Sequence, residues 1–261
     1  MRLGCVKYLN ARPLVHGWEG DLVLDHPSVL CRKLARGDLD AALVSSIEYL
    51  RNPTYKIVDD VSIASDGPVF SVVVVHSTAL ADVAEISLDP ASETSVVLLR
   101  YLLRRRGLNP RLIEGGEVVT AGASVRAPAG APASSARLLI GDQAIRFRLA
   151  NPDLRVWDLG QEWKEIMHLP FVYALWLVRP QVIDPRQLAE RLRTLRTQNL
   201  ARMDELIAQE QEFDHEFCRR YYRDHLRFGF GEREKKGLQN FAEVCVTQNL
   251  IPPRAMTFNL V

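Results

Sequence analysis

The chain has 261 residues, 47% of them apolar and 25% charged, enough for one large or two modest domains with real cores. Its 33 basic and 32 acidic residues leave a formal charge of +1, which argues against nucleic-acid or membrane-surface partners while leaving room for local basic sites. No apolar run approaches the roughly 18 residues of a membrane span, and the four cysteines lack CxxC spacing.

Those cysteines (Cys5, Cys31, Cys218 and Cys245) lie in apolar periodic contexts and read as reduced core thiols. Neither a zinc site nor a disulfide framework is expected from them. Met1-Arg2 leads straight into a strand over residues 3–9, so no signal peptide is expected. The strand breaks at Asn10, and Pro13 suits the first turn of a helix. Asn10 thus falls at the carboxyl end of a first strand, the edge where open α/β sheets bind small ligands. It is either a ligand contact or a helix N-cap.

A short strand over residues 21–25 follows, and then a helix that Pro27 starts and Gly37 ends. Residues 39–44 form a buried strand that runs directly into Ser45 and Ser46, a second polar strand-to-helix turn. Residues 55–58 read as a strand, 63–68 as a turn through Asp66-Gly67-Pro68, and 69–76 as a β-branched strand suited to a sheet centre. Ser71 is the lone hydroxyl in that run.

A second unit begins near residue 80, with a strand over 83–88 and a helix over 96–106. Ser92, Thr94 and Ser95 crowd hydroxyls at that helix's start, where they either cap it or receive a ligand carboxylate or phosphate. Arg100, Arg104, Arg105 and Arg106 read as a solvated face, and residues 120–135 as a low-complexity loop rich in Ala, Gly, Pro and Ser. Residues 136–141 restore a strand that ends at Gly141 and Asp142, a fourth polar turn. Gly141 permits close backbone approach, and Asp142 is either a cap or a polar contact. An apolar strand over 171–178 leads back to the first unit, and the remainder is helical. There the stripe Phe217, Tyr221, Tyr222 and Leu226 reads as packing.

Strand–helix units, an inserted set of the same kind and a returning strand predict an α/β chain of two lobes, hinged around an interlobe cleft. Residues 1–82 with 176–261 make the first lobe, and 83–175 the inserted second. Two polar turns from each lobe face across the cleft, which suits a small-molecule ligand.

The motifs V-K-Y-L-N-A-R-P-L, G-D-L-D-A-A-L-V-S-S-I-E-Y-L, D-G-P-V-F-S-V, S-E-T-S-V-V-L-L, L-L-I-G-D-Q-A-I and W-D-L-G-Q-E-W…L-P-F-V-Y-A-L-W follow one another in this order. That succession, over residues 3–178, resembles the chorismate dehydratases of the futalosine route to menaquinone. These are cytoplasmic enzymes on the type 2 periplasmic-binding-protein fold. Met167-His168 stands where the family tends to show Thr-Gly, and the Ala/Pro-rich stretch is unusual. The resemblance implies loss of water from chorismate to give 3-[(1-carboxyvinyl)oxy]benzoate, with no metal and no cofactor. It places Asn10 and Ser71 beside the reacting ring as catalytic residues. Ser45 and Ser46 complete the first-lobe wall, while Ser92, Thr94, Ser95, Gly141 and Asp142 hold substrate carboxylates. No His, Lys or Glu in these turns is an obvious base, and Glu48 reads as structural. The substrate's own enolpyruvyl carboxylate is therefore expected to take the proton. The rival readings are a small-carboxylate binding protein without chemistry and the sister lyase acting on cyclic dehypoxanthine futalosine. The latter's N-terminal motif, resembling S-P-C-P-N-D, is missing here. Oligomeric state is not encoded in these patterns.

Overall fold

The computed structural model describes residues 1–89, 93–114 and 135–261. The first strand, β1 (Arg2–Val6), ends in a 3-10 turn over Leu9–Leu14 where an α-helix was expected. Six residues offer few turns for an α-helix, and Pro13 inside them has no N–H to donate. Next come β2 (Asp21–Asp25), α1 (Pro27–Arg36), β3 (Ala41–Ser45), α2 (Ser46–Arg51) and β4 (Lys56–Ser65). Pro27 opens α1 and Gly37, in the left-handed region at φ 87°, closes it. β4 extends to Ser65, into the start of the stretch read as a turn, because Ile63 and Ala64 are buried and pair with Ala174 and Val172; the bend follows at Asp66-Gly67.

The chain then crosses to a second sheet built from β5 (Val72–His76), β6 (Glu85–Leu88), β7 (Arg111–Glu114), β8 (Ser135–Ile140) and β9 (Arg155–Asp158). Its helices are α3 (Glu93–Arg105), α4 (Gly141–Ala150) and α5 (Leu159–Met167). β10 (Phe171–Val178) returns to the first sheet. The tail consists of α6 (Pro185–Ala201), α7 (Met203–Ala208), α8 (His215–Arg220), a π turn over Tyr221–His225 and α9 (Glu232–Thr247).

The strand orders are β2-β1-β3-β10-β4 and β7-β6-β8-β5-β9. Each sheet has three parallel strands, then an antiparallel strand, then an edge strand that flanks it. In each, the antiparallel member is delivered by a crossing: β10 in the first, β5 in the second. This moves the expected lobe boundaries. The chain leaves the first sheet over residues 66–71, ahead of 82, and rejoins it by Phe171, ahead of 176. The run Val72–Val75 needs ladder partners on both sides and finds them in β8 and β9. Its β-branched composition marks a central strand without saying of which sheet.

The helical tail wraps back to the first turn. Asn199 Nδ2 donates to Pro13 O at 3.0 Å and His16 O at 2.8 Å, and the Tyr222 hydroxyl donates to Leu9 O at 2.9 Å. Each carbonyl lies at or beside the 3-10 turn, so the segment carrying Asn10 is pinned from the far end of the chain.

Candidate active site

A cavity of about 60 Å³, room for a few waters, lies where strand ends of both sheets meet helix starts. From the first lobe come Tyr8, Asn10, Ser45 and Tyr173; from the second, Ser95, Ile140 and Gly141; Val69 and Ser71 stand on the crossing itself. Among the described lining residues there are hydroxyls, one side-chain amide and apolar groups, but no carboxylate, imidazole, ammonium or guanidinium.

Ser71 is fully buried, and three contacts fix its place. Its carbonyl accepts from Gly141 N at 2.8 Å, its Oγ accepts from the Tyr221 hydroxyl at 2.7 Å, and that Oγ lies 3.5 Å from Val69 O. The preceding residue, Phe70, has φ +65°, a left-handed conformation that costs about 1–3 kcal/mol without glycine. Asp158 over-determines it, accepting from Val69 N at 3.0 Å and Phe70 N at 2.8 Å while also capping α5 through Gly160 N and Gln161 N. Arg148 closes the other side, donating to Phe70 O at 3.1 Å with its guanidinium 3.6 Å from the ring centroid. A Phe-Ser dipeptide thus has a rigid conformation at the lobe crossing.

Gly141 is required twice over. Its φ is +57°, and a Cβ there would lie 2.9 Å from Tyr8 Cγ. Tyr8 therefore packs directly on the start of α4, its phenol pushed to higher pKa by burial and then by Asp89 and Asp142. Tyr173, whose hydroxyl is 3.1 Å from Ser65 Oγ, is likewise raised by burial. Both phenols stay protonated and serve as neutral hydrogen-bonding groups. Asn10 Oδ1 is buried with no hydrogen-bond partner among the described residues, an acceptor left open at the cavity wall.

The turn residues thus divide. Asn10, Ser45, Ser71, Ser95 and Gly141 line the cavity. Ser46, Thr94 and Asp142 are engaged in fastening the frame instead. Ser46 Oγ donates to Val172 O at 2.8 Å, Thr94 Oγ1 accepts from Ile47 N at 3.3 Å, and Asp142 Oδ1 accepts from Leu9 N at 2.7 Å. The last two bonds join second-lobe helices to the first lobe. Burial pushes the Asp142 carboxyl up to about 6, against the pull of the Leu9 N–H. Ser92 lies outside the described residues, as does most of the low-complexity stretch over 120–135. Tyr8, Tyr173 and Tyr221 were missed. Tyr8 sits within the opening motif, and the Tyr221 signal was there in an aromatic stripe read as packing alone. Phe217 and Tyr221 do stack, at 5.6 Å and 13°, yet the Tyr221 hydroxyl reaches Ser71.

With no cationic side chain in the described lining, an anionic ligand would be held by hydroxyls and helix N-termini. Ser95 in the first turn of α3 and Gly141 at the start of α4 put two such ends at the cavity. No group of three metal-ligating side chains occurs among the described residues, and none of their helices is long and apolar enough to cross a membrane.

Residues 1–247 match the family model described as menaquinone biosynthesis. The chain belongs to that family. A curated relative, the chorismate dehydratase of Thermus thermophilus, is 34% identical over 265 residues, covering 92% of this chain and 93% of that protein. Among solved structures, a protein of Archaeoglobus fulgidus superposes with a TM-score of 0.72 at 18% identity, over 96% of this chain and 98% of that one. The periplasmic aliphatic sulphonate binding protein SsuA of Escherichia coli gives 0.63 at 14% identity, over 98% and 94%. At such identities the two structures speak for the fold alone: this chain's cavity sits in a two-lobed, periplasmic-binding-protein-like frame.

Proposed function

We propose that this protein dehydrates chorismate to 3-[(1-carboxyvinyl)oxy]benzoate in the synthesis of menaquinone. The observation that carries the reading is an open acceptor, Asn10 Oδ1, on the same cavity as the Ser71 hydroxyl, in a chain 34% identical to a chorismate dehydratase. A substrate hydroxyl needs one acceptor for its proton and one donor for its oxygen. Asn10 and Ser71 supply that pair for the departing C4 hydroxyl.

Loss of the C3 proton and the C4 hydroxide leaves an aromatic ring, so the reaction is redox-neutral and strongly downhill once begun. The C3 proton is conjugated through the ring alkene to the ring carboxylate, and charge flows there as the proton leaves. Ser95 and the helix starts at α3 and α4 stabilise that carboxylate as its charge grows. The described lining has no basic side chain, so the enolpyruvyl carboxylate of chorismate, two atoms from the ether oxygen on C3, takes the proton. The protein supplies orientation and a dry cavity. Hydroxide departs within the Asn10–Ser71 pair, takes the C3-derived proton from the enolpyruvyl carboxylic acid, and leaves as water. Like the enzymes it resembles, the protein is read as cytoplasmic, acting on a soluble small molecule.

The test is purified protein with chorismate in the presence of a chelator, following the aromatic product by absorbance and chromatography. Asn10→Ala and Ser71→Ala should each lower kcat by about 100-fold or more, the usual cost of one lost contact to developing charge. Chorismate binding without product would instead mark a receptor on the same frame.

A further inference from the structure

Tyr221 lies 150 residues from Ser71 in sequence and reaches it from the π turn that follows α8. Single π turns within helices are frequent at functional sites. Here the turn aims a phenol hydroxyl at Ser71, donating to its Oγ at 2.7 Å. Ser71 and Asn10 line the same cavity.

The consequences for the cavity are specific. A serine hydroxyl has one proton and two lone pairs. With Tyr221 donating to Ser71, one lone pair is taken, and the serine proton has Val69 O at 3.5 Å as its protein acceptor, at the limit of a useful bond. The proton is therefore available to an oxygen in the cavity. On the same cavity, Asn10 Oδ1 has no partner among the described residues and offers an acceptor. We infer that Tyr221 is a positioning residue that fixes Ser71 as a hydrogen-bond donor toward the leaving hydroxyl, opposite the Asn10 acceptor. This inference rests on the dehydratase reading given above. Burial keeps the phenol in its neutral, donating form, consistent with the assignment. Phe217, stacked on Tyr221, and Phe70, at 6.5 Å edge-on, hold the ring without touching the hydroxyl's role.

A double-mutant cycle tests it, with kcat and KM for chorismate measured on wild type, Tyr221→Phe, Ser71→Ala and the double variant. Tyr221→Phe should lower kcat about 10- to 100-fold with KM within about threefold, because the group acts on the departing oxygen more than on binding. Adding it to Ser71→Ala should cost little further, since the two residues act as one unit. Full additivity, or an unchanged kcat in Tyr221→Phe, overturns the inference. A second measurement leaves the packing in place: 3-fluorotyrosine at position 221 keeps the ring's shape and makes the phenol more acidic. Because burial keeps the phenol neutral and the variant retains its hydroxyl donor, kcat should stay within about threefold of wild type, and a loss as large as that of Tyr221→Phe overturns the inference. A wild type that forms no aromatic product from chorismate defeats the dehydratase reading, and the inference with it. A working wild type with an unaffected Tyr221→Phe defeats the inference alone.

Discussion

At the scale of single residues, Asp142 shows how a polar group near a cavity can belong to the frame. Its carboxylate spans from α4 to the N–H of Leu9, and burial raises its pKa to about 6. Folded, the group binds its proton more tightly than unfolded, so its contribution to stability is greatest at low pH and is lost as pH rises through about 6. Asp142→Asn keeps a carbonyl acceptor for Leu9 and removes the charge. Its stability relative to wild type, from urea unfolding, should therefore improve on the order of 2 kcal/mol between about pH 4 and pH 7. A difference that stays flat across that window would contradict the assignment. Gly141→Ala tests the neighbouring residue. A left-handed alanine costs about 1–2 kcal/mol, and its Cβ would press on the Tyr8 ring, 2.9 Å away. A lower melting temperature together with weaker chorismate binding is expected, because Tyr8 lines the same wall.

At the scale of elements, the crossing over residues 66–71 is the piece on which Ser71 depends. Asp158 gathers four backbone N–H groups, two from the crossing and two from the start of α5. Asp158→Ala strands all four at once and should destabilise the protein by about 2–4 kcal/mol, more than an ordinary N-cap loss. Its kcat should fall further than that destabilisation explains when measured well below the melting temperature. The sequence made much of this architecture legible. Alternating strand and helix signals, with Pro27 and Gly37 as punctuation, located the polar turns that line the cavity. The rest depended on contacts that no local pattern carries. A run of valines is equally at home in either sheet, so β5 was placed in the wrong one. Ser46, Thr94 and Asp142 occupy turns equivalent to those of Ser45, Ser95 and Gly141, yet their side chains point into the frame. Tyr221 meets Ser71 through tertiary packing alone, across 150 residues of chain.

At the scale of the whole molecule, the two sheets repeat one strand order, and each is completed by an antiparallel strand from a crossing. This has a consequence for biosynthesis. β10 lies between β3 and β4, so the first sheet retains an unfilled slot until residue 178 has left the ribosome. The second sheet has all five strands once Asp158 has emerged. The lobe that starts later in the message is thus finished sooner, while β3 and β4 wait with open edges that invite wrong pairing. Ribosome-stalled chains should show this directly under pulse proteolysis. Those exposing residues up to about 165 should protect the second lobe while the first is still cut, and protection of the first should appear once β10 is free. Protection of both lobes together would mean that the slot is filled some other way.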